Sequence, residues 1–580
     1  MKDEIKNIHS NEHTHLGPEL CSSDDGNSTA PADPPAATTP DKERDLSDRL
    51  GDAHLNILPR KKLITIMFIM AFNVFTAFVD QTAVTIALPT LAKELNAEKT
   101  INWAGTASLL ANCVCQVLFG RLADIFGRKG VLLYSLAFLG IADLACGFAQ
   151  TGVQFYIFRA LAGVGTGGIQ AMTMVLISDI VTLKQRGNYQ GILGANVGLG
   201  NACGPFLMSA FVSSSSWRNF YHMLPGLVAI QMATTYFFVE DRKKHLDSVL
   251  TKKEKFMKVD YIGMFFSTAG LTLILVPLNG GGSTYSWNSV LVIVMFVVGG
   301  LCSVAFIVVE WKIPKLPMIP LNLFQSTSLN LIFSSNFFYG LIYFSFQYYL
   351  PYYFQIVLGK TEMQSAVLQV GMVLIQALMS TIAGQIISRS GHYKYVICGG
   401  YGSWLLGLGL LMLFDINTPD GEIVGILLVI GCGVGWTFQP SVVAAQAQSR
   451  KADRAVVIST RNVVRCLGGA IGTAVASLIV TNTVMAEINK AFSNPDNYDN
   501  ISVGYLTYLK EHIYNKISVQ GLTDGQVTVV KKMYMKAIRN YFYMTIPLMG
   551  FCFISAFFVK DRGLRCIDEV IEKEEKESEV

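Results

Sequence analysis

The residues Gly120-Arg121-Leu122-Ala123-Asp124-Ile125-Phe126-Gly127-Arg128-Lys129-Gly130 lie between two apolar runs, Trp103 to Phe119 and Val131 to Phe148. A short, charged, glycine-punctuated stretch between two such runs reads as the elbow of a helical hairpin. Gly120 and Gly127 allow close backbone approach and a turn. Arg128 and Lys129 hold the elbow on the cytoplasmic side of a bilayer. If the preceding helix continues through the stretch, Asp124 and Arg128, four residues apart, share one of its faces.

Working outward, the chain has 580 residues, of which 51% are hydrophobic and only 15% charged, with a mean hydropathy of +0.40. Soluble domains carry about 25% charged residues, so the deficit points to a membrane protein. A net charge of +4 gives no reason to expect a nucleic-acid partner. Residues 1–60 are rich in Asp, Glu, Ser, Pro and Ala and read as a disordered cytoplasmic tail, without the apolar core of a cleavable leader. His9, His13 and His15 sit in that tail and read as solvated side chains rather than metal ligands. The eleven cysteines show no CxxC or zinc spacing and mostly lie inside apolar runs. No metal, cofactor or enzymatic site is expected. Leu358-Gly359-Lys360-Thr361 imitates the end of a phosphate loop, but Phe354 stands where that loop needs glycine.

A bilayer core needs ~20 apolar residues per helix. Spans are expected near 63–88, 103–120, 131–148, 153–181, 189–212, 220–239, 261–278, 290–309, 329–353, 366–387, 395–414, 423–445, 456–480 and 541–559. The fold class is therefore an all-α integral membrane protein with fourteen transmembrane helices. With the N-terminus inside, the inner loops hold about nineteen Lys and Arg against about four in the short outer loops. Both termini are then cytoplasmic. One outer loop, 482–540, is long; it carries the glycosylation sequon Asn500-Ile501-Ser502 and enough helical periodicity for a small lid or surface helix. Residues 561–580 form a charged cytoplasmic tail.

The elbow repeats. Gly384, Ser388, Gly391 and Lys394, shifted by 264, fall on Gly120, Asp124, Gly127 and Gly130, with the acid and the Arg-Lys pair lost from the second copy. The pattern G-x-L-A-D-x-x-G-R-K resembles the signature loop between spans two and three of the major facilitator superfamily. That resemblance implies two six-helix halves, here 61–240 and 328–560, with two extra spans within 241–327.

Ionisable residues inside spans are costly and read as functional. Asp80 lies in the first span and Arg159 in the fourth, at nearly matched depths below the outer face, so a pair facing a central cavity would satisfy both charges. Asp80 could instead only pin helix packing. A carboxylate balanced between desolvation and an arginine can bind and release a proton. Asp143, in the third span, has no evident partner and is a second proton candidate. Arg461 and Arg465 share a face of the thirteenth span; they need carboxylates, carbonyls or an anionic substrate, or they serve as gate residues. Gln347, Trp436 and Gln439 are candidate cavity residues, as are Asn336 and Gln376. Tyr343, Tyr348, Tyr349, Tyr352 and Tyr353 read as an interfacial aromatic belt.

Two elements narrow the resemblance. Asp80, Thr82, Thr85, Ala87, Leu88 and Pro89 resemble the first-span D-x-T-x-V-x-x-A-L-P pattern of fourteen-span drug:proton antiporters, and the long tail and outer loop resemble those of the fungal type. Gly200, Gly204 and Pro205 resemble their G-x-x-x-G-P-x-x-G-G element, with Met208-Ser209 in place of the closing glycines. Arg159-x-x-x-Gly163-x-Gly165 resembles the family element whose arginine is associated with proton transfer, and Trp217-Arg218 also fits the family. The resemblance implies a monomeric carrier in the plasma or vacuolar membrane. It would export drugs, toxins or metabolites by alternating access, with protons and a small-molecule substrate as partners. Alternatives are a vacuolar basic amino-acid or siderophore transporter, or a non-transporting nutrient sensor on the same fold.

Overall fold

The computed structural model describes residues 59–97, 100–101, 103–239, 260–280, 286–312, 321–449, 453–499, 501–511, 522–561 and 563–564. Expectations for the tails up to residue 58 and from 565, for the histidines at 9, 13 and 15, and for Asn500 lie outside the described residues, as does the side chain of Asp124.

Regular structure among the described residues is helical. In chain order the helices are α1 (Arg60–Glu94), α2 (Trp103–Phe126), α3 (Arg128–Gly147), α4 (Gly152–Ile180), α5 (Leu183–Ser214), α6 (Trp217–Phe238), α7 (Tyr261–Gly280), α8 (Val290–Lys312), α9 (Thr327–Tyr352), α10 (Glu362–Ser390), α11 (Lys394–Leu410), α12 (Asp420–Ala447), α13 (Arg454–Ser493), α14 (Val503–Glu511) and α15 (Asp524–Phe558). Twelve of the described helices are long and apolar enough to cross a membrane. Fourteen were expected; α5 and α6 have the length, at 32 and 22 residues, but fall short of that apolarity. In α5 the positions go to Gly, Asn and Ser, which serve helix contact rather than lipid.

The packing repeats across the chain. In α1–α6, the pairs α1–α5, α2–α4, α3–α4 and α3–α6 are in contact; in α9–α13 and α15, the pairs α9–α13, α10–α12, α11–α12 and α11–α15 answer them. The two groups meet chiefly through α5 on α10 and α2 on α13. Helices α7 and α8 pack on each other, and α7 leans on α2 and α13 beside that seam. Both elbows turn on a glycine in the left-handed region, Gly127 at φ 88° and Gly391 at φ 75°, where a Cβ would be strained. The internal repeat is thus a repeat of backbone as well as of letters.

Two expectations are corrected and one is met in part. Helix α2 stops at Phe126 and Gly127 breaks it, so Arg128 begins α3 instead of sharing a face with Asp124. Arg128 pairs with Asp179, near the end of α4. The long outer loop holds the expected short helix, α14, and is narrowed by its neighbours: α13 runs on to Ser493 and α15 starts at Asp524. Glu487 ties these arms, accepting from Lys490 at 2.8 Å, Lys536 at 2.9 Å and Tyr498 at 3.0 Å. The aromatic belt is instead a core. Tyr343, Tyr349, Tyr352 and Tyr353 are buried and only Tyr348 is exposed. Helix α15 covers Tyr349 and Tyr352 through Tyr541 and Tyr534, and the Tyr353 hydroxyl donates to the Asp415 carbonyl at 2.8 Å.

Candidate transport site

Three charged residues meet inside the first helix group. Arg159, seven residues into α4, donates to Asp80 Oδ1 of α1 at 2.5 Å, to the Asp80 carbonyl at 3.3 Å and to the Ala104 carbonyl of α2 at 3.3 Å. Its guanidinium lies 5.9 Å from the centre of the Tyr221 ring of α6. Asp143 of α3 stands within hydrogen-bonding reach of Asp80 and in the field of Arg159. One arginine therefore ties five helices together. All three charged side chains have no exposed surface. Asp80 Oδ2, both Asp143 carboxylate oxygens and the Tyr221 hydroxyl have no hydrogen-bond partner. Two carboxylates facing one guanidinium leave the site one proton short of neutral, and a proton on either acid would supply a missing donor. The pair does not face the central seam as expected. Helices α3 and α6 close over it, so the cluster lies within the group.

Helix α5 carries two rows of small residues. Gly187, Gly191, Gly194 and Gly198 lie against α10 at Gly384, Ser380 and Ala377, and Gly194 also meets Gln439 of α12. Farther along, Gly200 and Gly204 face α1 at Phe75, Phe78, Val79 and Thr82, the residues around Asp80. Pro205 lies within the helix. At both seams a Cβ would strike backbone atoms, so these helices approach as closely as glycine permits. The α1 that holds the acid and the α10 of the second group thus share one helix between them.

The second group contains the arginines. Arg461 of α13 has no exposed surface; it donates to the Phe438 carbonyl at 2.6 Å, to Ser441 Oγ at 2.7 Å and to Asn462 Oδ1 at 2.9 Å. Arg465, one turn on, rests over the Phe438 and Phe344 rings at 4.8 and 5.8 Å. Neither has a carboxylate partner among the described residues. Nε of each lacks an acceptor. Around them stand Asn336, bonded to Ser441 at 3.4 Å, and Tyr343, which Gln347 reaches at 3.1 Å. Gln439 is buried with neither amide atom partnered. Trp436 departs from this set: it packs on Gly399 and Gly400 of α11, away from the arginines.

The elbow residues sit at the seam. Gly120 of α2 lies against Ser459 and the Ala455 carbonyl of α13. Met174, Val175, Val442, Ala455 and Ile458 join the groups just beside it. Lys129 donates to the Tyr236 carbonyl at 2.7 Å, binding α3 to α6. The second elbow has a device that its local sequence does not contain. Asp561, beyond α15, accepts from the backbone N–H groups of Tyr393 and Lys394 at 3.1 Å each and lies 3.4 Å from His392. The acid lost from the repeat is supplied from the end of the chain. A lone Asp three residues past a span was the available signal.

This bundle, with paired six-helix groups around a polar seam, is the architecture of a membrane carrier. The chain belongs to the Major Facilitator Superfamily, whose profile matches residues 70–473. It is an integral, multi-pass transport protein and not an enzyme. Among its relatives, it is 41% identical to Citrate exporter 1 of Yarrowia lipolytica over 510 residues, covering 88% of this chain and 74% of that one. It is 33% identical to Efflux pump dotC of Dothistroma septosporum (strain NZE10 / CBS 128990) over 431 residues, covering 74% of each. Among solved structures, the proton:xylose symporter XylE bound to 6-bromo-6-deoxy-D-glucose superposes with a TM-score of 0.54 at 12% identity, over 88% of this chain and 99% of that one. That likeness concerns the fold alone.

Proposed function

We propose that the protein is a proton-coupled exporter of small polycarboxylate anions, working by alternating access. The observation that carries this reading is Arg461 and Arg465, two buried guanidiniums one helical turn apart with no carboxylate partner among the described residues. A buried charge is stable only when paired, and a di- or tricarboxylate supplies the missing anions in the bidentate geometry that arginine favours. The relative named as a citrate exporter supports the same substrate class. Basic amino acids are disfavoured, because two unpaired arginines repel them. An apolar cargo has no use for either charge.

Proton coupling rests on Asp80, Asp143 and Arg159. Protonation of the acid pair removes a charge from the interior of α1, α3 and α4 and supplies the missing donor. Helix α5 transmits the change, since its glycine rows touch α1 beside Asp80 and α10 and α12 across the seam. Anion and proton sites are separate, in different helix groups, and meet only through helix movement. The Lys/Arg asymmetry supports cytoplasmic termini, with the elbow end as the inner end. Impermeant thiol labelling of Lys253→Cys from inside and Asn500→Cys from outside reads that orientation.

The test is radiolabelled citrate uptake into proteoliposomes holding the full chain, with and without an imposed pH gradient. Gradient-stimulated uptake is expected. Arg461→Gln and Arg465→Gln should each raise the citrate KM roughly tenfold to hundredfold, the value of one charge-assisted hydrogen bond of about 1.5–3 kcal/mol. Citrate uptake indifferent to both substitutions sinks the substrate assignment; uptake indifferent to the gradient sinks the coupling.

A further inference from the structure

The helix α2–α13 seam contains two thiols. Cys113 of α2 and Cys466 of α13 are within hydrogen-bonding reach of each other and are free. They pack in one apolar cluster with Val114, Ala470 and Leu275 of α7. The register explains the meeting. Gly120 touches Ser459 at the elbow end of the same seam. Cys113 and Cys466 each lie seven residues farther toward the opposite end. Seven residues are two helical turns, about 10.5 Å of rise, and return a side chain to nearly the same face. The two contacts thus form one line along two helices that belong to different groups.

We infer that Cys113 and Cys466 are a redox modification site: a hydroperoxide converts them to a disulfide that fastens the two helix groups together. The chemistry balances with one equivalent of peroxide. The Cys466 thiolate attacks a peroxide oxygen, the O–O bond breaks, and Cys466 becomes a sulfenic acid as the leaving oxygen takes a proton. The Cys113 sulfur then displaces the hydroxyl as water and forms the S–S bond. Two thiols have lost two electrons and two protons; hydrogen peroxide has become two waters. Arg465, the residue before Cys466, stands beside both sulfurs. Cys466 is half-buried and Cys113 buried, so the peroxide reaches Cys466 first.

The consequence follows from where the bond lies. A carrier that alternates must let the groups tilt about their seam, and a covalent bridge near its middle prevents α2 and α13 from parting. Oxidation therefore stops turnover, and reduction restores it. This consequence, though not the bond itself, rests on the carrier reading above.

The experiment uses the full chain in proteoliposomes treated with hydrogen peroxide, capped with N-ethylmaleimide and digested without reductant. A linked peptide joining Cys113 to Cys466 is expected by mass spectrometry. Citrate uptake should fall at least tenfold and return with dithiothreitol. Cys113→Ser and Cys466→Ser should each keep their uptake through the same treatment. Absence of the linked peptide overturns the site, and its presence with unchanged uptake overturns the lock. Equal loss in the serine variants assigns the inhibition elsewhere and also overturns the lock. If untreated protein moves no citrate, the substrate reading fails, while the linked peptide still decides the bond.

Discussion

The two helix groups are alike in backbone and opposite in charge. In the first, two carboxylates and one arginine lie enclosed by α1, α2, α3, α4 and α6. In the second, two arginines on α13 face carbonyls, hydroxyls and aromatic rings with no acid among the described residues. The same packing pairs hold both sets, so the asymmetry is not imposed by the fold. The first group is self-contained and needs only a proton to balance. The second has two cations and no acid among the described residues to balance them. On the proposed function, the two similar halves divide the work, one serving the proton and one the cargo.

The largest effect should come from removing the arginine of each group in turn. Arg159→Leu leaves Asp80 and Asp143 buried without a cation, a loss of roughly 3–5 kcal/mol. Thermal unfolding in detergent should show a sharply lowered midpoint or no monodisperse protein. Arg461→Leu deletes a buried cation that has no carboxylate partner, so the midpoint should hold or rise while citrate uptake is lost. Equal destabilisation by the two would mean that the second group also contains its own counter-charge, and the division would fall.

Asp80→Asn should act on coupling rather than folding, because Asp143 remains beside Arg159. Uptake should lose at least tenfold of its gradient stimulation, about 1.4 kcal/mol of coupling, with protein yield preserved. Asp143→Asn leaves the Asp80–Arg159 bond and should flatten the pH profile more mildly. Unchanged pH profiles in both variants would reduce the cluster to a packing element.

The smallest effect belongs to the elbow. Asp179→Asn frees Arg128 from a half-buried pair worth about 1 kcal/mol. The inward-open fraction should rise a few-fold, as read by spin-label distances across the inner loops, with citrate affinity unchanged. Arg128 at wild-type distances in that variant would make the pair a local staple of α3 on α4.

Much of this was legible from residue order. The elbow glycine, the repeat at an offset of 264 and the matched depths of Asp80 and Arg159 follow from helix rise and the cost of an intramembrane charge. The contact of Asp143 with them was not, since it depends on the rotational phase of α3 about its own axis, which a mostly apolar run does not encode. Trp436 and the tyrosines of α9 misled for a related reason. An aromatic near a span's end suits both an interface and a core, and only the placement of α11 and α15 decides between them. Arg128 escaped because one positive-φ glycine separates sharing a helix face from starting the next helix.

The staple at the second elbow has a bearing on how the protein is made. Arg128 meets Asp179 across 51 positions of chain, so the first elbow is fastened while synthesis is still in the first half. Tyr393 waits for Asp561, 168 positions later. Until the last helix has left the ribosome and entered the bilayer, the N–H groups that open α11 lack this acceptor, and the closure entropy of a long loop stands against the contact. A chain cut short before Asp561 would therefore hold all its spans and still leave the second elbow without this latch.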